Sequence, residues 1–339
     1  MLCRVVGLAC FFLSVLGACS KEPTNAGPAG DGSAAAETKA LRIVVIPKGT
    51  THEFWKAVHA GAVKASRELK VAVTYKGPLK EDDLKQQIDL VQNFTAQKVD
   101  GIVLAPLNDK ALRGPVKGAK RSGIPVVVID SALQGEDHQS FVATDNRKAG
   151  ALAGERMAKL LGEKGGVIVL RYQEGSASTA NREKGFIDAI GKHEGVELLS
   201  SNRYGGATTE SAFKAAESLI AAQGGPDKVA GVFCPNESTT FGMLLALRKT
   251  GAAGKIKFVG FDASQKLIDG LKKKHIDALV VQDPFNMGYL GVKTMVEHLR
   301  GQPVKKLIDT GAKLVDPSNM DSPAMKRLLA PDLKRWLGE

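Results

Sequence analysis

Two stretches of the sequence repeat each other, and both end on an aspartate. One runs from Ile124 to Asp130 (IPVVVID) and the other from Ile256 to Asp262 (IKFVGFD). Each follows another apolar run at a similar distance, VDGIVLAP at residues 99–106 and VAGVFCP at residues 229–235. Near-continuous apolar runs are typical of parallel strands covered by helices on both faces, and open α/β sheets bind ligands at the carboxyl ends of their strands. The repeat therefore predicts two similar lobes, each with one carboxylate at the ligand-binding edge of its sheet.

The chain from residue 41 onward alternates between apolar strand patterns and amphipathic helix patterns. Residues 41–46 predict a strand and residues 53–69 a helix, and this alternation continues through a helix at 285–300. Residues 322–337 predict one last short helix. We therefore predict an α/β fold with two doubly wound parallel-sheet lobes.

The first 40 residues do not follow this alternation. Arg4 precedes an apolar run over residues 5–18, which is too short for the roughly 20 residues that span a bilayer. This pattern predicts a signal peptide over residues 1–19. The sequence LGAC at 16–19 resembles a bacterial lipoprotein signal, in which Cys19 would carry the lipid; an ordinary secretory signal with an incidental cysteine is the alternative. Residues 20–40 are small and polar, which predicts a flexible tether.

Charge and cysteine content limit the partners and chemistry to expect. The formal net charge is +11, but the basic residues are spread out, which indicates a solvated basic surface and no nucleic-acid partner. Only Cys234 lies beyond the predicted leader, so we expect no internal disulfide. His52 begins a partial HExxH pattern without its second histidine, and no dinucleotide or nucleophile motif occurs. We therefore expect no metal, no cofactor and no catalysis.

Polar residues stand at or just after several predicted strand ends. They are Lys48, His52, Asp130, Thr144, Asn236, Asp262 and Gln282. A single polar residue after a strand usually caps the next helix, and Asp130, Asp145 and Asp262 could each do only that. Their recurrence in both halves favours convergence on one crevice between the lobes.

The sequence resembles the ribose/galactose type of periplasmic sugar-binding proteins over about residues 41–315. The matching motifs are FW at 54–55 followed by GA at 61–62, VDGIVLAP at 99–106, IPVVVID at 124–130, VATDN at 142–146 with Gly150, ANREKGF at 180–186, VFCPN at 232–236, VGFD at 259–262 and Gln282. The resemblance implies two lobes joined by a three-segment hinge. The first lobe would comprise residues 41–143 plus 283–308, and the second 144–282 plus 309–339. Residues 316–339 extend past the usual end of the family.

The resemblance also implies a function. It predicts a monomeric extracytoplasmic solute-binding protein that is anchored by lipid to a membrane of the cell envelope. Such a protein captures a sugar or polyol between its lobes and delivers it to the permease subunits of an ABC importer. A sensor lipoprotein that presents its ligand to a chemoreceptor or a histidine kinase is the alternative, and the sequence does not separate the two.

The resemblance further assigns roles to individual residues. Phe54 and Trp55 match an aromatic pair that stacks on the sugar ring, because the C–H faces of a sugar are apolar. Asp130 and Asp262 match acceptors of hydroxyl hydrogen bonds, and Arg182 matches a guanidinium donor. The remaining matches are the amides of Asn236 and Gln282, which both donate and accept, and Thr144 near a crossover.

Four positions depart from the pattern of the ribose binders. Ala105 stands where they carry an asparagine, and Ala207 lies near the position of a second-lobe aromatic. Lys48 and His52 replace smaller neutral residues in the first loop. We therefore expect a ligand other than ribose, which could be another sugar, a polyol or an anionic ligand.

Overall fold

The computed structural model describes residues 40–338. The predicted signal peptide, Cys19 and the tether up to residue 39 lie outside the described residues. Within the described range, none of the helices combines the length and the apolar character needed to cross a bilayer.

The first lobe is built on a sheet of six parallel strands. The strand order is β11-β5-β4-β3-β1-β2. The strands are β1 (Arg42–Ile46), β2 (Ala72–Tyr75), β3 (Gly101–Leu104), β4 (Val126–Ile129), β5 (Ser140–Ala143) and β11 (Leu307–Asp309). Every residue of β3 and β4 is buried, which explains why these strands read as unbroken apolar runs.

The second lobe repeats this arrangement with the order β12-β10-β9-β8-β6-β7. Its strands are β6 (Gly165–Arg171), β7 (Val196–Tyr204), β8 (Gly231–Phe233), β9 (Lys257–Phe261), β10 (Ala278–Gln282) and β12 (Ala312–Val315). Five of them run parallel, whereas β12 pairs with β10 in the antiparallel direction. The short strands β11 and β12 were not predicted from the sequence.

Helices cover both faces of each sheet. They are α1 (Glu53–Leu69), α2 (Leu84–Ala96), α3 (Arg113–Arg121), α4 (Asn146–Leu161), α5 (Ala177–Ile190), α6 (Thr209–Ala222), α7 (Glu237–Lys249), α8 (Gln265–Lys272), α9 (Pro284–Leu299), α10 (Pro323–Leu329) and α11 (Leu333–Leu337). Each sheet has one apolar cluster on each face, so the described chain contains four clusters of buried side chains.

The chain crosses between the lobes three times. The crossings lie between β5 and α4, between β10 and α9, and between β11 and β12. The predicted fold class, two doubly wound α/β lobes joined by a three-segment hinge, is confirmed. Because α9 returns to the first sheet and packs on α1, each lobe is assembled from segments that are distant in sequence.

In each lobe one helix pair is held in close contact by glycines. In the second lobe, a Cβ on Gly150 of α4 would collide with the carbonyl of Arg182 in α5, and a Cβ on Gly185 would collide with the carbonyl of Arg147. The same reciprocal contact joins α1 and α9 in the first lobe. The backbone that carries Arg182 is therefore positioned by a helix contact that tolerates no side chain.

The C-terminal segment differs from the expected single helix over residues 322–337. It forms two short helices, α10 and α11, which are separated at Pro331 because proline disrupts a helix interior. Leu329 at the end of α10 joins the core of the second lobe. Trp336 of α11 instead packs 6.1 Å from the ring of Phe285 and accepts a 3.2 Å hydrogen bond from Arg67 at its carbonyl, so α11 lies on the first lobe.

Candidate functional site

Nine of the ten residues predicted to bind a ligand line one cavity between the lobes. They are Lys48, His52, Phe54, Trp55, Asp130, Arg182, Asn236, Asp262 and Gln282. The cavity opens at the carboxyl ends of the strands, where the ends of β4, β9 and β10 supply three of these side chains. The space open to the centre of a water-sized sphere is ≈ 20 Å³, about one water molecule, so the lobes are closed on each other.

Lys48 links the aspartate of the first lobe to the second lobe. Its Nζ lies 2.8 Å from Asp130 Oδ2 and donates hydrogen bonds to Ser178 Oγ at 3.0 Å and to Ser176 Oγ at 3.3 Å. Both the lysine and the aspartate are buried. Asp130 Oδ2 forms an ion pair with Lys48, but the geometry of the contact is not that of a hydrogen bond. Because a carboxylate oxygen has two lone pairs, Asp130 Oδ2 can accept one further hydrogen bond beside its ion pair with Lys48.

Arg182 is held by two of its three nitrogens. Its Nε donates to Asn146 Oδ1 at 2.7 Å, and its Nη1 donates to the carbonyl of Pro235 at 3.0 Å. The guanidinium stacks on the ring of Phe261 at 4.0 Å. Burial lowers the pKa of this guanidinium despite the acidic neighbours. Its Nη2 is buried without a hydrogen-bond partner and so remains a free donor in the cavity.

Asp262 and Gln282 form a second polar pair, in the second lobe. Gln282 Nε2 donates to Asp262 Oδ1 at 2.7 Å, and the backbone N–H of Glu237 donates to Asp262 Oδ2 at 3.0 Å. Burial raises the pKa of the Asp262 carboxyl, and the charge of Arg182 opposes that rise. Gln282 Oε1 is buried without a partner, which leaves a free acceptor.

Asn236 shows that a strand-end residue can have two roles. It lines the cavity and is also the N-cap of α7, where its Oδ1 accepts from the N–H of Thr239 at 3.3 Å. A polar residue after a strand can therefore cap the next helix and line the cavity at the same time.

Thr144 is the predicted site residue that the structure places elsewhere. Its hydroxyl donates to the carbonyl of Gly311 at 3.0 Å and lies 3.4 Å from Thr310 Oγ1, so it joins two crossover segments of the hinge. It does not line the interlobe cavity, because this hydroxyl faces the neighbouring crossing segment.

Glu81 is a central residue of the cavity that sequence reasoning missed. Its carboxylate accepts from Trp55 Nε1 at 2.6 Å, pairs with His52 Nδ1 at 2.7 Å and accepts from the hydroxyl of Tyr172 in the second lobe. It lies in a charged loop after β2, where no local pattern separates it from Asp82 and Asp83. A single buried carboxylate thus orients residues of both lobes.

The pKa values of His52 and Glu81 reflect their ion pair. Burial alone would lower the pKa of His52, but the carboxylate of Glu81 raises it to about 9. Burial alone would raise the pKa of Glu81, but His52, Lys48 and the hydroxyl of Tyr172 lower it to about 2. Both groups are therefore charged at neutral pH.

Three further cavity residues were also missed: Tyr172, Ser178 and Thr179. Tyr172 directly follows Arg171, the last residue of β6. A search for polar residues just after each strand would therefore have found it. Arg171 itself pairs with Glu183 at 2.7 Å outside the cavity. Ser178 and Thr179 lie in the first turn of α5 and carry no distinguishing pattern.

Known proteins show the same fold and sequence pattern. A family model described as a periplasmic binding protein domain matches residues 43–303. The D-ribose/D-allose-binding protein of Pseudomonas aeruginosa is 31% identical over 274 residues, which cover 77% of this chain and 83% of that protein.

Two solved structures are also similar. A carbohydrate transporter solute-binding protein of Agrobacterium radiobacter, in complex with D-arabinose, matches with a TM-score of 0.82 and 33% identity over 86% of this chain and 100% of its own. An ABC transporter solute-binding protein of Agrobacterium vitis with bound D-fucose matches with a TM-score of 0.82 and 35% identity over 85% of this chain and 100% of its own. Because the family model spans most of the chain and the relatives align over most of their own length, this chain belongs to the periplasmic binding proteins of the ribose/galactose type.

Proposed function

We propose that this protein is the solute-binding component of an ABC importer and that it binds a neutral monosaccharide or polyol between its lobes. The observation that carries this proposal is a set of buried polar atoms that lack hydrogen-bond partners in the closed cavity. Arg182 Nη2 is a donor and Gln282 Oε1 is an acceptor, and Asp130 Oδ2 is engaged only by its ion pair with Lys48. Leaving buried polar groups unpaired is costly, and a hydroxyl both donates and accepts, so a polyhydroxylated ligand satisfies all three.

The charge of the cavity favours a neutral ligand over an anionic one. Its ionisable lining comprises three basic residues, Lys48, His52 and Arg182, and three acidic residues, Glu81, Asp130 and Asp262. Each basic residue already faces a carboxylate: Lys48 pairs with Asp130 and His52 with Glu81, and Arg182 Nη2 lies 3.9 Å from Asp130 Oδ1. A carboxylate or phosphate on the ligand would therefore meet no surplus positive charge.

The size of the cavity favours a small ligand. The closed lobes leave room for about one water molecule, so binding requires hinge opening and rearrangement of the lining. Phe54 and Trp55 lie edge to face, with ring centroids 4.8 Å apart, and offer an apolar surface to the C–H face of a sugar. This single aromatic pair offers a stacking surface for one sugar ring.

Import is favoured over sensing because the similar proteins are solute-binding proteins of transporters. The partners of this chain would then be the permease subunits of the importer in the membrane. The protein acts outside the cytoplasm, captures its ligand by hinge closure and presents the closed form to the permease.

A thermal-shift screen tests the proposed ligand class. D-ribose, D-allose, D-arabinose and D-fucose form the neutral set, and D-galacturonate and D-ribose 5-phosphate form the anionic set. A ligand that binds only the folded protein raises the melting temperature by mass action. We expect stabilisation by at least one neutral sugar, followed by saturable heat release in titration calorimetry. Stabilisation by the anionic set alone would contradict the proposal of a neutral ligand.

We also propose lipid anchoring at Cys19 and a monomeric protein, both from the sequence. Mass spectrometry of the protein purified from a bacterial envelope would show a diacylglyceryl adduct on Cys19. The Cys19→Ala variant would then be released from the membrane. Light scattering of the detergent-free Cys19→Ala variant would test the monomer.

A further inference from the structure

Two helices from opposite lobes direct their N-termini toward each other beside the cavity. Helix α1 of the first lobe begins at Glu53, and helix α8 of the second lobe begins at Gln265. The first N–H groups of a helix have no partner within it and are usually capped by the preceding side chain. His52 and Ser264, the N-cap residues of these two helices, make no such hydrogen bond.

Glutamates of the opposite lobe occupy both N-termini instead. Glu237, the first residue of α7 in the second lobe, accepts from the N–H of Phe54 at 3.1 Å and from the N–H of Glu53 at 3.3 Å. In return, the carboxylate of Glu53 accepts from the N–H of Gln265 at 3.1 Å. Each lobe therefore caps a helix of the other, and both caps exist only while the lobes are closed.

We propose that Glu53 and Glu237 are positioning residues that hold this protein closed through reciprocal helix capping. Neither glutamate lines the ligand cavity, so neither acts by touching the ligand. Each acts as a hydrogen-bond acceptor for the unpaired N–H groups at the start of a helix in the other lobe. This inference goes beyond the proposed function and does not depend on which ligand binds.

The caps act together with other hydrogen bonds between the lobes, among them the bond from the Tyr172 hydroxyl to Glu81. Lys48 of the first lobe donates to Ser176 and Ser178 of the second. Gln173 of the second lobe donates to the carbonyl of Glu81 at 2.9 Å. These contacts are made by protein atoms alone, so closure draws part of its free energy from the protein before any ligand contributes. A protein whose closed state is already populated binds its ligand more tightly, because less of the binding energy is used to shift the equilibrium.

The closed population of the unliganded, full-length protein can be measured directly by small-angle X-ray scattering. We would compare the wild type with Glu53→Ala, Glu237→Ala and the double variant. The matched control is Glu210→Ala, because Glu210 is also a first-turn glutamate but is exposed and pairs with Lys214 of its own helix. We expect each cap variant to lower the closed-to-open ratio by about tenfold, which is about 1.4 kcal/mol. The radius of gyration would rise in the cap variants and stay unchanged in the control.

Hydrogen exchange locates the effect at the caps. The amides of Glu53, Phe54 and Gln265 should exchange faster in the alanine variants, whereas the amides of β3 and β9 should keep their protection. Glu237→Gln keeps an acceptor oxygen, so it should restore part of the closed population if capping is the cause.

Two results would overturn the proposal. One is a wild-type radius of gyration that already matches separated lobes. The other is a folded double variant whose radius of gyration and amide exchange equal those of the wild type. Circular dichroism identifies any variant that does not fold, and Glu53→Met with Glu237→Met, which removes the acceptor oxygens but keeps the length of the side chains, then replaces the alanine pair. These measurements use no sugar. They therefore test the caps even if the ligand screen finds no sugar that binds.

Discussion

Asp130 and Asp262 share the same left-handed backbone conformation, with φ angles of 61° and 67°. Each directly follows a central strand of its sheet, and each backbone N–H bonds to the neighbouring strand, at Val142 and Val280 respectively. Non-glycine residues adopt this conformation rarely, and such residues cluster at functional sites. The two lobes therefore hold their acidic side chains by the same local device, on opposite sides of one cavity.

The ion pair of Asp130 with Lys48 sets a first prediction. Asparagine tolerates the left-handed conformation, so Asp130→Asn removes the charge while preserving the backbone. It leaves Lys48 buried without a counter-charge, and we expect a loss of about 3 kcal/mol in the free energy of unfolding. Urea unfolding measures this loss. The double variant Lys48→Met with Asp130→Asn should recover part of it, and Asp262→Asn should lose less, because the carboxylate of Asp262 is held by an amide and a backbone N–H. Equal losses in all three would refute the pairing.

Arg182 should determine ligand affinity through its forked shape. Arg182→Lys keeps the charge but cannot reproduce the bonds to Asn146 and Pro235 while presenting a donor to the ligand. We expect affinity for the sugar found in the screen to fall by about 30-fold or more, which is about 2 kcal/mol. Calorimetry measures the change. Arg171→Lys is the matched control because Arg171 lies outside the cavity, and an equal loss there would point to a general structural effect.

The pair of His52 and Glu81 predicts a pH dependence of stability. The pKa of His52 is raised from 6.5 to about 9, so its contribution is complete below pH 6.5 and is lost as the pH rises through 9. The pKa of Glu81 is lowered from 4.5 to about 2, so its contribution is present above pH 4.5 and is lost as the pH falls toward 2. The pair is thus most stabilising between pH 4.5 and 6.5. His52→Gln should destabilise the protein more at pH 6 than at pH 9.5 in thermal melts, and a constant difference would contradict this.

Glu237 predicts that acidification favours closure. Burial between the lobes raises its pKa from 4.5 to about 7, against the opposing charge of His52. The other ionisable groups around it are Glu53, Lys80, Asp262 and Lys266. Opening returns Glu237 to water, so the closed form binds more protons between pH 4.5 and 7. The radius of gyration of the unliganded protein should be smaller at pH 5 than at pH 8. Glu237→Gln should flatten this dependence, and an unaltered profile would exclude Glu237 as its source.

The contact between α4 and α5 predicts a long-range effect on the site. A Cβ at Gly150 would collide with the carbonyl of Arg182, so Gly150→Ala should push α5 away and displace the guanidinium. We expect losses of both stability, by about 1–3 kcal/mol, and sugar affinity. Gly118→Ala in α3 meets no atom within 4 Å and should be neutral or slightly stabilising. Melting temperature and sugar affinity are measured for both variants. If Gly150→Ala changes them no more than Gly118→Ala does, the close helix contact is refuted.

The local sequence determined much of this protein. Unbroken apolar runs predict buried parallel strands, because a strand that is covered on both faces has an apolar residue at nearly every position. The repetition of these runs predicts two lobes. The polar residues after those strands, such as Asp130, Asp262 and Gln282, were found because the carboxyl ends of parallel strands always share one edge.

Only the tertiary structure decided which partners meet across the cleft. Glu81 joins Trp55 to Tyr172, and Glu237 caps a helix of the other lobe, but neither residue differs from its charged neighbours in any local pattern. The same holds for α11, which crosses to the first lobe after Pro331. The physical reason is that these contacts depend on how three crossing segments set one lobe against the other. Such an arrangement places residues far apart in sequence within hydrogen-bonding distance and leaves no periodicity along the chain.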